Sequence, residues 1–155
     1  MKKLVYAILL FCLVFGLAAC GGAKALDVDV EQLLSDMATK VGWKDMMTMS
    51  SKHLKNLYGI AEADVVKFSG VMKNDGITAD EILLIEAENE TKADALKEKL
   101  QARLKNKANE AKDYLPEQYA VIEKAEIKQK GQYLALLVSP DVDALSKLWE
   151  AAMKE

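Results

Sequence analysis

The feature that most constrains this chain is a long amphipathic helical pattern, residues 91 to 113, that separates two pairs of strand-like segments. Apolar residues recur along it every three or four positions, which predicts a helix with one buried stripe. Thr91 and Asp94 predict a capping box at its start, and Pro116 predicts its end. The stripe consists of Ala93, Leu96, Leu100, Leu104, Ala108, Ala111 and Leu115. Neighbouring elements have to pack against this stripe to bury it.

Two strand-like segments precede the helix. They are "DVVKFSGVMK" (64 to 73) and "EILLIEAE" (81 to 88), and the turn-rich "NDGITAD" separates them. Thr78 and Glu81 also have the spacing of a capping box, which would indicate a helix. The packed aliphatic run at 82 to 85 favours a buried strand instead, so the pattern predicts an antiparallel hairpin.

A second hairpin is predicted after the helix. The segment "AVIEKAEIKQ" ends in a strand, Lys130 and Gly131 form a turn, and "QYLALLVS" is the clearest strand pattern in the chain.

Three further helices complete the predicted order. One runs from about 29 to 41, with Asp29 and Gln32 as its cap and Gly42 as its end; a short one runs from Ser50 to Tyr58. The last helix follows Ser139 as cap, with Pro140 in its first turn. The order predicts an α+β domain: a two-layer, four-stranded antiparallel sheet made of two hairpins joined by a long helix, with the helices on one face.

Residues 1 to 19 follow the plan of a secretory signal peptide. Lys2 and Lys3 give a positive start, "LVYAILLFCLVF" is an apolar core, and Gly16 ends it before small residues. A spanning helix needs about 20 apolar residues, so this shorter run predicts a segment that is removed.

Leu17, Ala18, Ala19 and Cys20 resemble the lipobox of bacterial lipoproteins. The resemblance implies that a diacylglycerol is attached to the thiol of Cys20 and that cleavage leaves Cys20 as the new N-terminus. Two acyl chains give a stable anchor. The expected organisation is a lipidated Cys20 with a flexible tether to residue 28, then a single domain from 29 to 155.

The charge and the cysteine content of the chain limit which partners and which reactions are expected. Without Lys2 and Lys3 the chain has 19 basic against 24 acidic residues, so nucleic acid is not an expected partner. Cys12 lies in the signal and Cys20 carries the lipid, so the domain has no further cysteine for catalysis or thiolate metal binding.

Several stretches together resemble a family of small lipoproteins from Gram-positive bacteria, domain of unknown function family 4358. They are "LKNLYGI", "ADEILLIEAENETKADALKEKLQARL" and "DYLPEQYAVIEKAEIKQKGQYLALLVS". The residues that carry the likeness are Tyr58, Gly59, Glu81, Ile82, Tyr114, Pro116, Gly131 and Tyr133. The Met-rich region 44 to 53 departs from it. The resemblance implies an extracytoplasmic lipoprotein domain and carries no activity or site.

Two groups are candidate binding surfaces. The stretch of the long helix between Lys97 and Lys112 carries six basic residues against two acids, and Lys99, Arg103 and Lys107 could contact anionic lipid head groups or wall polymers. Tyr114 and Tyr119 belong to an aromatic group at the end of this helix, which either anchors an interface or pins the junction onto the sheet.

Other patterns favour structural roles over chemistry. His53 lies near Met46, Met47 and Met49, a ligand set that suits copper(I), yet such Met side chains also fill gaps in cores. Paired acids at 27 and 29, at 141 and 143, and at 86, 88 and 90 suit helix starts and a strand's solvent face. We therefore expect no metal, cofactor or catalytic residue.

The sequence thus predicts a binding or accessory module of the bacterial cell envelope, anchored to the outer face of the membrane and contacting an envelope protein or polymer. A small hydrolase or a metal-handling lipoprotein is the alternative from another class.

Overall fold

The computed structural model describes residues 26–154, so the predicted signal segment and Cys20 lie outside the described residues. The helices are α1 (Val30–Lys40), α2 (Ser51–Tyr58), α3 (Glu90–Ala111), α4 (Pro116–Glu123) and α5 (Val142–Ala152). The strands are β1 (Met47–Thr48), β2 (Lys67–Met72), β3 (Glu81–Glu86), β4 (Glu126–Lys130) and β5 (Tyr133–Val138), and a short 3-10 turn spans Glu62–Asp64. Within residues 26–154, no helix is both long enough and apolar enough to span a membrane.

The strands form one antiparallel sheet in the order β1-β2-β3-β5-β4. The α+β class is confirmed, as are both hairpins and the long helix between them. Region 81 to 86 is a strand, which excludes the helix suggested by its capping-box spacing.

The sheet differs from the predicted one in strand number and in the cover of its faces. The two residues of β1 pair with the end of β2 and add a fifth strand. Helices α2, α3 and α4 pack on one face, whereas α1 and α5 pack on the other. The prediction of one covered face is wrong because β3 and β5 are apolar on both sides, and a strand of that kind requires cover on both faces.

Local signals account for the starts of the helices. Asp29 caps α1 as predicted, since its carboxylate accepts from the backbone N–H groups of Glu31 and Gln32. The Gln32 side chain takes no part in the cap and donates to Asp36 instead. The cap of α3 is Asn89, which accepts from the Lys92 N–H, instead of Thr91. Helix α5 begins after Asp141, so Pro140 precedes the helix and the Ser139 hydroxyl accepts from the Asp141 N–H.

Helix α4 was not predicted. The periodic stripe of α3 ends at Ala111, and a short irregular segment leads to Pro116, which occupies the first turn of α4. The predicted junction between helix and strand therefore contains a second helix, which brings its N-terminal residues beside the β2–β3 loop.

Candidate functional site

A carboxylate without any exposed surface lies at the start of β3. Glu81 is fully buried, and its side chain points to the face covered by α2 and α3. Its Oε1 accepts a 2.6 Å hydrogen bond from the Tyr58 hydroxyl. Its Oε2 accepts from Arg103 Nη2 at 3.1 Å and from Lys107 Nζ at 2.5 Å. We call Tyr58, Glu81, Arg103 and Lys107 the buried charge cluster.

The chain brings these four side chains together by simple local rules. Arg103 and Lys107 are four residues apart on α3, so both face the sheet from successive turns. Tyr58 is the last residue of α2, and Gly59 ends that helix in the left-handed conformation, φ 66°. The Arg103 guanidinium lies 5.6 Å from the centre of the Tyr58 ring, within the range of a cation–π contact.

The electrostatics of the cluster favour ionised Glu81. Burial raises the pKa of Glu81, but Lys107 and Arg103 act more strongly in the other direction and hold it below its usual value. Burial also raises the pKa of Tyr58 well above its ordinary value, and the Glu81 charge adds to this effect. Tyr58 therefore stays protonated and donates its hydroxyl proton to the carboxylate.

The two cations respond differently to burial and to Glu81. Burial lowers the pKa of Lys107 more than Glu81 raises it, whereas for Arg103 the attraction of Glu81 outweighs burial and its pKa rises. Within the cluster one carboxylate faces two cations, and outside it Asp80 also attracts Lys107 and Glu110 attracts Arg103. In the part of the chain that the structure describes, Arg103 Nε is the one buried side-chain nitrogen or oxygen without a hydrogen-bond partner.

A cleft of about 320 Å³ lies over this cluster. The β2–β3 loop forms one wall, and the C-terminal half of α3 with α4 forms the other. Its lining includes Ile77, Arg103, Lys107, Glu110, Leu115 and Gln118. The side chains of Arg103 and Lys107 are each 12% exposed, so ligands in the cleft can reach them. We call it the β2–β3 cleft.

The loop that forms the first wall is held by its own hydrogen bonds. The Asp75 carboxylate accepts from the N–H groups of Ile77 and Thr78 and from the Thr78 hydroxyl. The hydroxyl bond and the two amides lower the pKa of Asp75 to about 2. From α4, Gln118 Oε1 accepts the Ala79 N–H at 2.8 Å. The cleft is therefore preformed.

An exposed apolar rim adjoins the cleft. Ile77 is 61% exposed and Tyr114 is 85% exposed, and together with Leu115 and Pro116 they line a neighbouring hollow. Ile77, Leu115 and Gln118 line both the cleft and the hollow, so the two form one continuous surface. Large exposed apolar side chains beside a cleft are typical of an interaction site.

The structure brings together some of the residues predicted to bind at a surface. Arg103 and Lys107 lie on the floor of the cleft, turned toward Glu81, and Tyr114 lies on its rim. Lys99 lies elsewhere, where it donates to the Gly59 carbonyl at 2.8 Å and sits 3.6 Å from Asp64. Tyr119 packs against the core from α4. Surface binding by these residues stays a prediction.

Sequence reasoning missed Glu81 and Ile77 as members of the site. A signal for Glu81 was present: it shares the inward face of β3 with Leu83 and Ile85, so its carboxylate required buried cationic partners. Tyr58 and Glu81 both belong to the residues that carry the family resemblance, and a hydrogen bond joins them. The closeness of the β2–β3 loop to α4 depends on the fold alone.

The remaining candidates have local structural contacts. His53 Nδ1 accepts from the Ser50 N–H at 3.0 Å and so caps the start of α2. Met49 is buried in the core beside the Tyr58 hydroxyl. Among residues 26–154, no group of three or more His, Cys, Asp or Glu side chains is arranged to hold a metal ion.

Comparison with protein families identifies the chain. The family described as Domain of unknown function (DUF4358) matches residues 39–139. The chain belongs to this family. The match covers about two thirds of the chain and includes every strand and all residues of the buried charge cluster. No curated protein and no solved structure matches the chain significantly. The family carries no assigned activity, so any function has to be argued from the site.

Proposed function

We propose that this DUF4358 protein is a lipid-anchored binding module on the outer face of the bacterial membrane, and that the β2–β3 cleft with its apolar rim contacts the partner. The proposal combines the signal pattern of residues 1 to 19 and the lipobox at Cys20 with the geometry of the folded domain. The observation that carries it is the pair of exposed apolar side chains, Ile77 and Tyr114, beside a preformed cleft.

The point where the chain enters the domain supports this arrangement. The Tyr133 hydroxyl donates to the Leu26 carbonyl at 3.1 Å and lies 3.3 Å from the Val28 nitrogen. Leu26 and Val28 therefore pack on the domain, ahead of the predicted tether boundary at residue 28. Only residues 21 to 25 remain between Cys20 and the packed chain, a reach of about 20 Å.

The entry point and the cleft lie at opposite ends of the sheet. Tyr133 is paired with Glu86, the last residue of β3, whereas the cleft lies over Glu81, its first residue. These two ends of β3 are about 17 Å apart at the usual rise of a strand. An anchor at Cys20 would then hold the Tyr133 end near the bilayer and leave the cleft accessible to a partner outside it.

The chemistry of the cluster favours binding over catalysis. A general base needs a carboxylate with a free lone pair within reach of its substrate. Glu81 has no exposed surface, and both of its oxygens already accept hydrogen bonds from Tyr58, Arg103 and Lys107. The cleft therefore offers cationic donors and apolar contacts, which are groups that hold a ligand.

Two experiments test the two halves of the proposal. Cys20→Ala should abolish acylation and release the protein from the membrane fraction of its own cells. Acylation and membrane binding that persist in this variant would contradict the anchor.

Site-specific photocrosslinking tests the cleft. A photoreactive amino acid at position 114 should give a defined adduct in cells, whereas the same group at Ser35, exposed on α1 on the other face of the sheet, should not. Identical adducts from both positions, or none from position 114, would contradict binding at the cleft.

A further inference from the structure

The cationic floor of the β2–β3 cleft has donor capacity that the protein itself does not use. Arg103 and Lys107 share a single carboxylate oxygen, Oε2 of Glu81. A guanidinium offers five N–H donors and an ammonium three. Arg103 Nε is buried and has no partner among the described residues, and the N–H groups of Arg103 and Lys107 outnumber the Glu81 oxygen that accepts from them. Buried cations with unmatched donors are strong sites for an anionic oxygen.

Neighbouring acids limit which anion fits. Glu110 also lines the cleft and acts on Arg103, and the half-buried Asp80 acts on Lys107. Repulsion from these carboxylates grows with the charge of the ligand, so we expect a phosphate dianion or a polyanionic polymer to bind less well than a monocarboxylate, although Lys73 also lines the cleft. A single carboxylate brings less negative charge into the cleft than a phosphate dianion does, and Arg103 and Lys107 already bind that group in Glu81.

The other residues that line the cleft favour a ligand whose carboxylate is attached to an apolar group. Ile77, Leu115 and Ile122 contribute apolar walls. A volume of about 320 Å³ lies at the lower end of the range for small-ligand sites, so one small side chain with its carboxylate is a suitable occupant.

We propose that the β2–β3 cleft binds a monocarboxylate attached to an apolar group, such as the C-terminal residue of a peptide, through Arg103 and Lys107. Glu81 is a positioning residue, since its Oε2 holds both cations at the cleft floor. This inference rests on the proposed function and names the ligand chemistry of the same cleft.

Matched ligands test the inference on the full chain in detergent. The probes are acetyl-Ala-Leu as free acid and as amide, 4-methylvalerate and inorganic phosphate, with binding followed by NMR chemical shifts. The free acid should bind at least about tenfold more tightly than its amide, since the amide lacks the charge that Lys107 and Arg103 pair with. Tighter binding of the dipeptide than of 4-methylvalerate indicates a peptide, and the reverse indicates a free aliphatic acid; both support the carboxylate chemistry.

Variants separate ligand binding from folding. Lys107→Gln should weaken binding of the acid about tenfold, whereas Lys105→Gln, exposed on the same helix and absent from the cleft lining, should leave it unchanged. Glu110→Gln should tighten binding, a gain that a loss of structure would not produce.

Three results would overturn the inference: equal binding of acid and amide, phosphate binding as tight as that of the acid, or no binding of the acid by the folded protein. If these occur while position 114 still crosslinks to a partner in cells, the proposed function stands and only the ligand class is wrong. If one of these results occurs and position 114 also gives no crosslink in cells, the proposed function is contradicted as well.

Discussion

At the scale of single residues, Glu81 is the most constrained side chain of the domain. An ionised carboxylate in the interior is costly unless cations and hydrogen bonds satisfy it, and Tyr58, Arg103 and Lys107 do so together. The arrangement ties the end of α2 and the middle of α3 to the first residue of β3. The same contacts hold the floor of the β2–β3 cleft.

Glu81→Gln should therefore destabilise the fold strongly. It leaves two cations, each 12% exposed, without a charged partner, and breaking such a buried pair costs about 3 to 5 kcal/mol. Urea denaturation measures the free energy of unfolding. The control is Glu31→Gln, because Glu31 forms an exposed pair with Lys67 and should cost less than about 1 kcal/mol. A loss in Glu81→Gln no larger than in the control would contradict the role of the cluster.

The pH dependence of the free energy of unfolding should reflect the titration of Glu81. Its folded-state pKa is below the ordinary value of 4.5, so between these two values the unfolded chain binds more protons than the folded chain. The stability from Glu81 is complete above 4.5 and is lost as the pH falls through the folded-state pKa. Urea denaturation between about pH 6 and pH 3 should show a steeper decline for the natural chain than for Glu81→Gln. Parallel declines would contradict this assignment.

At the scale of elements, the contact of Tyr133 with the chain before α1 sets where the domain begins. Tyr133 is the first residue of β5 and is buried, and its hydroxyl contacts the Leu26 carbonyl and the Val28 nitrogen. The link spans more than 100 residues and fixes the N-terminal segment to the sheet. The sequence-derived boundary at residue 28 rested on composition, which does not report such contacts.

Tyr133→Phe should release this segment. The loss of one hydroxyl bonded at two points should lower the free energy of unfolding by about 1 kcal/mol. Hydrogen exchange at the Val28 amide should become faster, while exchange within β3 stays slow. Tyr114→Phe is the matched control, because that side chain is 85% exposed and should change neither quantity. Unchanged exchange at Val28 in Tyr133→Phe would show that the hydroxyl does not hold the segment.

At the scale of the whole molecule, topology distinguishes the two ends of the sheet, because the chain enters at the Tyr133 end and the cleft lies at the other. The Tyr133 end carries charges of both signs, namely Asp29, Glu31, Asp64, Glu86 and Glu88 together with Lys67, Lys92, Lys99 and Lys130. The proposed anchor at Cys20 would hold this end near the bilayer, since only residues 21 to 25 separate Cys20 from the packed chain. The cleft would then lie away from the membrane, which we call the upright arrangement. Helix α3 extends about 33 Å from that end toward the cleft. Contact of its basic face with lipid head groups stays a prediction.

The orientation can be measured in the lipidated protein on anionic vesicles. A donor dye on Glu88→Cys should transfer energy to acceptor lipids more efficiently than the same dye on Tyr114→Cys, because position 88 lies at the Tyr133 end. The same labelled variants with Cys20→Ala are the control and should give no transfer. Equal transfer from both positions, or more from position 114, would contradict the upright arrangement.

The sequence alone determined the class of the fold, most element positions and both hairpins, because helical and strand periodicity, turn residues and caps act over a few positions. The apolar runs of β3 and β5 also indicate two covered faces, because a strand that is apolar on both sides requires cover on both. Tertiary structure decided the strand order, the placement of α4 beside the β2–β3 loop, and the pairing of Glu81 with Tyr58, Arg103 and Lys107. These depend on contacts between residues more than 20 positions apart, which local patterns do not encode.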